Sequence, residues 1–397
     1  MRTSPSSPHT GPNRRSLLGL SLAAGATLAV GASPAVARSR PPASRHDARL
    51  QTVATFQGAM PTGVTVSRTG RVFVSFPRWG DDVSFSVAEI RGGKAVAYPN
   101  PEVNRPDINR PSHHFLGVQS VVVDAAERLW VVDTGRIEWA DALGGGPKLV
   151  AVDLATDKVV RTIVLPPSVA GPRSFVNDVR FDLTRGYAYL TDATPDGPNG
   201  LIVVHLATGT SWRCLDDAPA VRPVAGFVPT VEGRPMLNHP DAASPATPLN
   251  IGADGIALSP GGEWLYFCPL SSRRLYAVRT VDLIRPGSGA MTSSVPVHDL
   301  GVKGMSDGLE TDEAGRVYGG DLEDNAIVRR GTDGSFHTLV RDDRLVWADT
   351  LSVGYDRHLY VIANQLNRQA AYNGGVDLRV KPYGLYRFPV GSGPARR

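Results

Sequence analysis

Six segments of this sequence repeat one pattern: a polar pair, a short alternating strand, a tight turn, and a second alternating strand. They begin at Thr62-Gly63, Gln119-Ser120, Asn177-Asp178, Asp254-Gly255, Asp307-Gly308 and Asp349-Thr350. Alternation with period two puts one set of side chains on each face of a strand. Each hairpin is followed by further apolar strands, as at 148–152 and 159–164. Repeats of about forty residues and more, with four strands per unit, are the signature of propeller blades. The chain is therefore expected to be all-β, a six-bladed β-propeller over residues 49–393. One blade alone cannot bury both faces, whereas a ring of blades can, so this is one cooperative domain. A ring must also close. Residues 50–56 (LQTVATF) alternate and are expected to form the outer strand of the last blade, which removes an exposed edge. Residues 216–250 are rich in Pro, Ala and Asp without periodicity, as in a lid, a binding loop or a disordered segment.

Residues 1–37 read as an export signal. Arg14 and Arg15 precede an uncharged apolar stretch, and Ala35-Val36-Ala37 forms a small-x-small cleavage site. The paired arginines resemble the twin-arginine signature; a general secretory signal or a retained anchor are the alternatives. Residues 38–48 read as a polar linker. No other stretch is long and apolar enough to span a bilayer, so the mature protein is expected to have no membrane span. The formal charge of +4 includes Arg2, Arg14 and Arg15 of the leader, and without them it falls to about +1. No run of Lys or Arg interleaved with aromatics stands out, which argues against nucleic acid as a partner. The two cysteines, Cys214 and Cys268, fall in neighbouring repeats. A disulfide and two buried thiols are both compatible with that spacing.

Sixfold pseudo-symmetry brings the first residue of each polar pair to one mouth of the central channel. Thr62, Gln119, Asn177, Asp254, Asp307 and Asp349 thus place three carboxylates, two amides and a hydroxyl in one small space. Like charges held together need a cation or a shared proton. An oxygen-rich set suits calcium or magnesium, and Asn177, Asp254 and Asp307 are the candidate metal ligands. The same residues also serve as turn formers that tie blades together, or as the floor of an organic ligand pocket. His113 and His114 lie on the loop entering the second inner strand, near that mouth, where a histidine titrates near neutral pH. Arg78, Trp79 and Arg136 follow second strands and are expected nearer the opposite rim or between blades. Trp79 is a candidate for stacking on an aromatic ligand, and Trp130, Trp264 and Trp347 for blade core.

Several runs then carry a family likeness: Val72-Phe73-Val74-Ser75-Phe76-Pro77-Arg78-Trp79, Val131-Val132-Asp133-Thr134-Gly135-Arg136, Phe175-Val176-Asn177-Asp178-Val179, and Trp347-Ala348-Asp349-Thr350-Leu351 with Asn364-Gln365-Leu366. In this order they resemble the yellow/major royal jelly proteins over nearly the whole mature chain. The resemblance implies a secreted six-bladed propeller with a ligand pocket in its central channel. Some animal relatives bind small aromatic amines and some are linked to dopachrome conversion. More distantly, Asn177-Asp178, Asp254-Gly255 and Asp307-Gly308 resemble the inner-strand pairs of gluconolactonase-type propellers, some of which hold a divalent metal. Thr62-Gly63 stands where that family places a glutamate. The chain has no Gly-x-Ser-x-Gly elbow, phosphate loop or dinucleotide fingerprint. Three functions follow: a binder of a small cationic or aromatic molecule, a metal-assisted (lactonase-like) or tautomerase-like enzyme, and an extracellular scaffold.

Overall fold

The inner strands are the most deeply buried elements. Val64–Val66, Val176–Asp182 and Ala253–Leu258 contain no exposed or half-buried residue. The computed structural model describes residues 45–284 and 295–395. The proposed leader (1–37) and linker residues 38–44 lie outside the described residues. No described helix is long and apolar enough to cross a membrane.

Six four-stranded antiparallel meanders surround a central channel. Blade one is Val64–Val66, Val72–Ser75, Val87–Arg91 and Lys94–Ala97; blade two is Val118–Val123, Arg128–Thr134, Pro147–Asp153 and Lys158–Val164. Blade three is Val176–Asp182, Tyr187–Asp192, Gly200–His205 and Ser211–Cys214; blade four is Ala253–Leu258, Trp264–Pro269, Arg274–Arg279 and Val297–Val302. Blade five is Leu309–Thr311, Val317–Asp321, Ala326–Arg330 and Phe336–Arg341. Blade six takes Ala348–Val353, His358–Ala363 and Tyr383–Pro389 from the end of the chain, and Gln51–Phe56 pairs antiparallel with Tyr383–Pro389 as its outermost strand. Asp342 of blade five accepts the Asp47 backbone N–H at 2.8 Å and anchors the entry to that strand.

Burial falls from the channel outward, as blade-on-blade packing requires. In the outer strand Lys158–Val164 only Ile163 is buried. Inner hairpins are pinned by a turn carboxylate. Asp124 accepts the Arg128 backbone N–H (3.0 Å) and the Trp130 indole N–H (2.7 Å). Asp312 repeats this with Arg316 N (2.9 Å) and the Tyr318 hydroxyl (2.7 Å). The buried aromatic ring is thereby fixed to its own turn, and its polar atom is satisfied. Trp130 and Trp347 are fully buried as expected for blade core. Trp264 is not: it is half-buried beneath the Arg279 guanidinium (5.2 Å) and edge-on to His298 (5.1 Å).

Cys214 and Cys268 are buried free thiols, so no disulfide joins them. Each sulfur packs against carbonyls instead, Cys214 on Leu283 (3.7 Å) and Cys268 on Ser306 (3.8 Å). The insertion between blades three and four is ordered. Phe227, Val231, Met236 and Leu249 enter the core. Its hairpin, Thr230–Val231 with Arg234–Pro235, is tied down by Glu232, which accepts from Arg368 Nε (2.8 Å) and Asn367 Nδ2 (2.9 Å). Asn238 and Thr247, Pro248, Leu249, Asn250 and Ile251 at the end of this segment line the central cavity.

Candidate functional site

Antiparallel hairpins decide which residues share a rim. The start of a first strand lies beside the end of the second, as the Thr62 N–H to Ser75 carbonyl bond (2.9 Å) shows. Loops that follow second strands and loops that enter first strands therefore meet at one mouth. There they line a cavity of about 770 Å³, within the range typical of small-molecule sites.

The floor is the polar ring. Gln119, Asn177, Asp254, Asp307 and Asp349 all line the cavity. Four of the five sit where strand register slips: between Val118 and Ser120, Val176 and Val179, Ala253 and Gly255, and Ala348 and Leu351. A bulge leaves its extra residue out of the ladder and re-aims its side chain, here into the channel. The Asp-Gly pairs then acquire a steric reason. A Cβ on Gly255 would stand 2.2 Å from the Asp307 carbonyl oxygen, and one on Gly308 would stand 2.8 Å from that of Asp349. Each glycine lets the neighbouring blade bring its own aspartate alongside. Thr62 does not line the cavity. Its Oγ1 is spent instead on the Gln119 carbonyl of blade two (3.0 Å) and on Ser75 Oγ of its own blade (3.3 Å).

The histidines are also elsewhere. His114 is buried with Nδ1 against the Arg105 carbonyl (2.9 Å), just after the short helix Pro101–Asn104, and His113 is exposed outside the cavity. Conversely, Trp79 and Arg136 line this cavity, not the opposite rim, because the loops that carry them follow second strands. Arg78 lies between loops, donating to the Val83 (2.9 Å) and Asn104 (3.2 Å) carbonyls.

One wall is aromatic. Trp79 and Trp139 stack at 5.2 Å, and Trp139 and Phe175 stack at 5.2 Å. Arg136 holds the loop beneath by donating to the carbonyls of Trp139 (2.7 Å), Ala140 (2.8 Å) and Arg173 (3.0 Å). Tyr372, from the segment after blade six's second strand, faces Asp254 and Asp307, and burial raises its pKa. Trp139, Phe175 and Tyr372 carry no repeat signal, and only the loop paths bring them together.

The floor is electrostatically crowded. Asn177 Nδ2 donates to Asp254 Oδ1 (2.6 Å), Trp347 Nε1 to Asp307 Oδ2 (2.8 Å), and Asn364 Nδ2 to Asp349 Oδ2 (2.5 Å). Burial raises the pKa of all three aspartates. The neighbouring Asp307 pushes Asp254 and Asp349 up further, and both stand well above the ordinary carboxylate value. Arg180, a buried residue of the same inner strand as Asn177, pairs with Asp178 (2.8 Å) and reaches the Leu309 carbonyl.

Asn177, Asp254 and Asp307 do not fit a divalent cation as they stand. Asn177 turns a donor toward Asp254, and the Trp347 indole occupies an oxygen of Asp307. Among the described residues no three His, Cys, Asp or Glu side chains group as metal ligands.

Fold and cavity define a six-bladed propeller with an acid-floored, aromatic-walled central site. The major royal jelly protein family model matches residues 116–382, and the chain belongs to that family. It is similar to Protein yellow of Drosophila erecta and of Drosophila melanogaster, each 28% identical over 244 residues, 56% of this chain and 42% of the relative. The chain thus matches less than half the length of these curated relatives. Among solved structures it is similar to a gluconolactonase from Xanthomonas campestris (TM-score 0.52, 15% identity, 87% of this chain and 91% of that one). A putative gluconolactonase gives a TM-score of 0.54 at 12% identity, covering 90% of this chain and 99% of that one. At these identities the likeness is one of fold.

Proposed function

We infer that this chain is an exported binding protein of the yellow type, which holds a small organic cation on an aromatic or flat apolar body in its central cavity. The carrying observation is the pairing of two chemistries in one cavity: a floor of Asp254, Asp307 and Asp349, and a wall of Trp79, Trp139 and Phe175. Buried carboxylates favour a cation that restores charge balance. Stacked rings favour a planar partner and attract cations through their faces. Export is supported by the apolar leader with paired arginines and by membership of the family.

The test is a thermal-shift screen of the mature protein against aromatic amines, with an uncharged alcohol of matching shape beside each one. A ligand that binds only the folded state raises the melting temperature by mass action. The reading expects amines to raise it and their alcohols to do so far less. Equal shifts for both series, or none for either, would count against it.

A further inference from the structure

We propose that Asp254 and Asp307 hold one proton between them in the free protein, and that the cavity takes up its cation by releasing that proton. This rests on the functional reading above and gives it a chemical mechanism.

The first observation is a charge imbalance without a partner. Asp254, Asp307 and Asp349 are 5%, 7% and 3% exposed. Their neutral donors are accounted for: Asn177, Trp347, and Asn364 with Thr350. The cations nearby are engaged elsewhere. Arg180 pairs with Asp178, Lys148 with Asp133, Arg213 with Asp192, and Arg379 with Asp81 and Asp377. Arg136 is spent on carbonyls. Among the described residues no ion pair reaches the three floor aspartates.

Among the described residues, none of the remaining groups facing the pair forms an ion pair with it. Asp349 and Asp178 approach from blades six and three and add negative field, and Tyr372 covers the pair from above. Cys268 and Lys303 lie behind it. Lys303 is buried, donates to the Gly304 carbonyl (3.1 Å) and forms no ion pair with the floor aspartates; burial lowers its pKa. Asp254 and Asp307 line the same cavity and meet across one blade boundary, where a Cβ on Gly255 would stand 2.2 Å from the Asp307 carbonyl oxygen. Two carboxyls so placed cannot both ionise without a cation, whereas one shared proton satisfies both.

The second observation is independent and points to a ligand. Gln119 is 7% exposed and lines the same cavity, and its Oε1 is buried with no hydrogen-bond partner. An unmade bond on a buried acceptor is costly. An ammonium group has donors enough for the Gln119 oxygen and for the two carboxylates that form once the proton leaves. The exchange balances: one proton leaves the acid pair for solvent as one cation enters, so the cavity's net charge is unchanged.

The experiment combines infrared spectroscopy with calorimetry on the full mature chain at neutral pH, with 2-phenylethylamine as the probe. The free protein should show the carbonyl stretch of a protonated carboxyl. Asp254→Asn should weaken it, and saturating amine should bleach that same component. Calorimetry in two buffers of different ionisation enthalpy should report release of about one proton per amine bound. Amine bound with no protonated carboxyl beforehand, or with the band intact afterwards, overturns the proton exchange while leaving the binding reading in place. A protonated-carboxyl band with no amine bound overturns both the exchange and the functional reading.

Discussion

Trp139 is held in a conformation that its side chain does not favour. Its φ is +66° and that of Glu138 is +49°, in the left-handed region that non-glycine residues enter at a cost of roughly 1–2 kcal/mol. The ring is 48% exposed, yet it stacks on Trp79 and Phe175 at 5.2 Å each. Two such contacts contribute roughly 1–3 kcal/mol. Trp139→Ala loses the contacts and keeps the backbone cost. Trp139→Gly loses the same contacts and relieves the backbone, but adds freedom to the unfolded chain worth about 0.4–1 kcal/mol. The glycine variant should therefore be the more stable of the two by roughly 0.5–1 kcal/mol, read as denaturation midpoints at unchanged slope. Both variants should lose affinity for an aromatic amine by roughly two- to tenfold, the value of one stacking contact. If alanine were as stable as glycine, the strain assigned to this loop would be wrong. If amine affinity were unchanged, the aromatic wall would not belong to the site.

Three further outcomes follow from the geometry. Gly255→Ala forces a Cβ to within 2.2 Å of the Asp307 carbonyl; it should destabilise the fold by roughly 1–3 kcal/mol and, by displacing Asp307, weaken amine binding in the same titration. Burial holds the Asp321 carboxyl up at about 6, from an ordinary 3.8. The unfolded chain thus ionises there while the folded one stays neutral, so stability falls as pH rises from about 4 to about 6 and stays lowered above. The difference is about 3 kcal/mol before solvent screening and about 1–2 kcal/mol after it; Asp321→Asn should flatten that part of the pH–stability curve and stabilise the protein at neutral pH. Glu232→Gln removes the charge that holds Arg368 and Asn367; amide exchange across residues 227–236 should speed up, and the global midpoint should fall by about 1 kcal/mol or less.

The six hairpins were legible because alternation and turn chemistry are local. Asp124 and Asp312 lie only a few residues from the rings they orient. The ring aspartates were legible because equivalent repeat positions share one height. The bulges that aim Asp254 and Asp349 inward were not, since a register slip depends on the partner strand. Thr62 has the right repeat position but no place in the cavity, because its hydroxyl is engaged with the Gln119 carbonyl and Ser75. Trp79 and Arg136 follow second strands, whose ends return beside the starts of first strands, so they stand at the cavity mouth and not at the opposite rim or between blades. His114 packs against the Arg105 carbonyl just after the helix Pro101–Asn104, and His113 is exposed outside the cavity, placements that depend on how that loop folds. Trp139 and Tyr372 had no local signal, because their positions depend on where long loops cross the mouth.

The central claim is that the acid floor binds a cation inside the channel. Its most direct test is the calorimetric dissociation constant of 2-phenylethylamine for the wild-type protein and for the Asp254→Asn, Asp307→Asn double variant, with the variant's fold checked by its denaturation transition. The double variant should lose affinity by at least about tenfold, or about 1.4 kcal/mol. A folded double variant that binds the amine as tightly as wild type would contradict it.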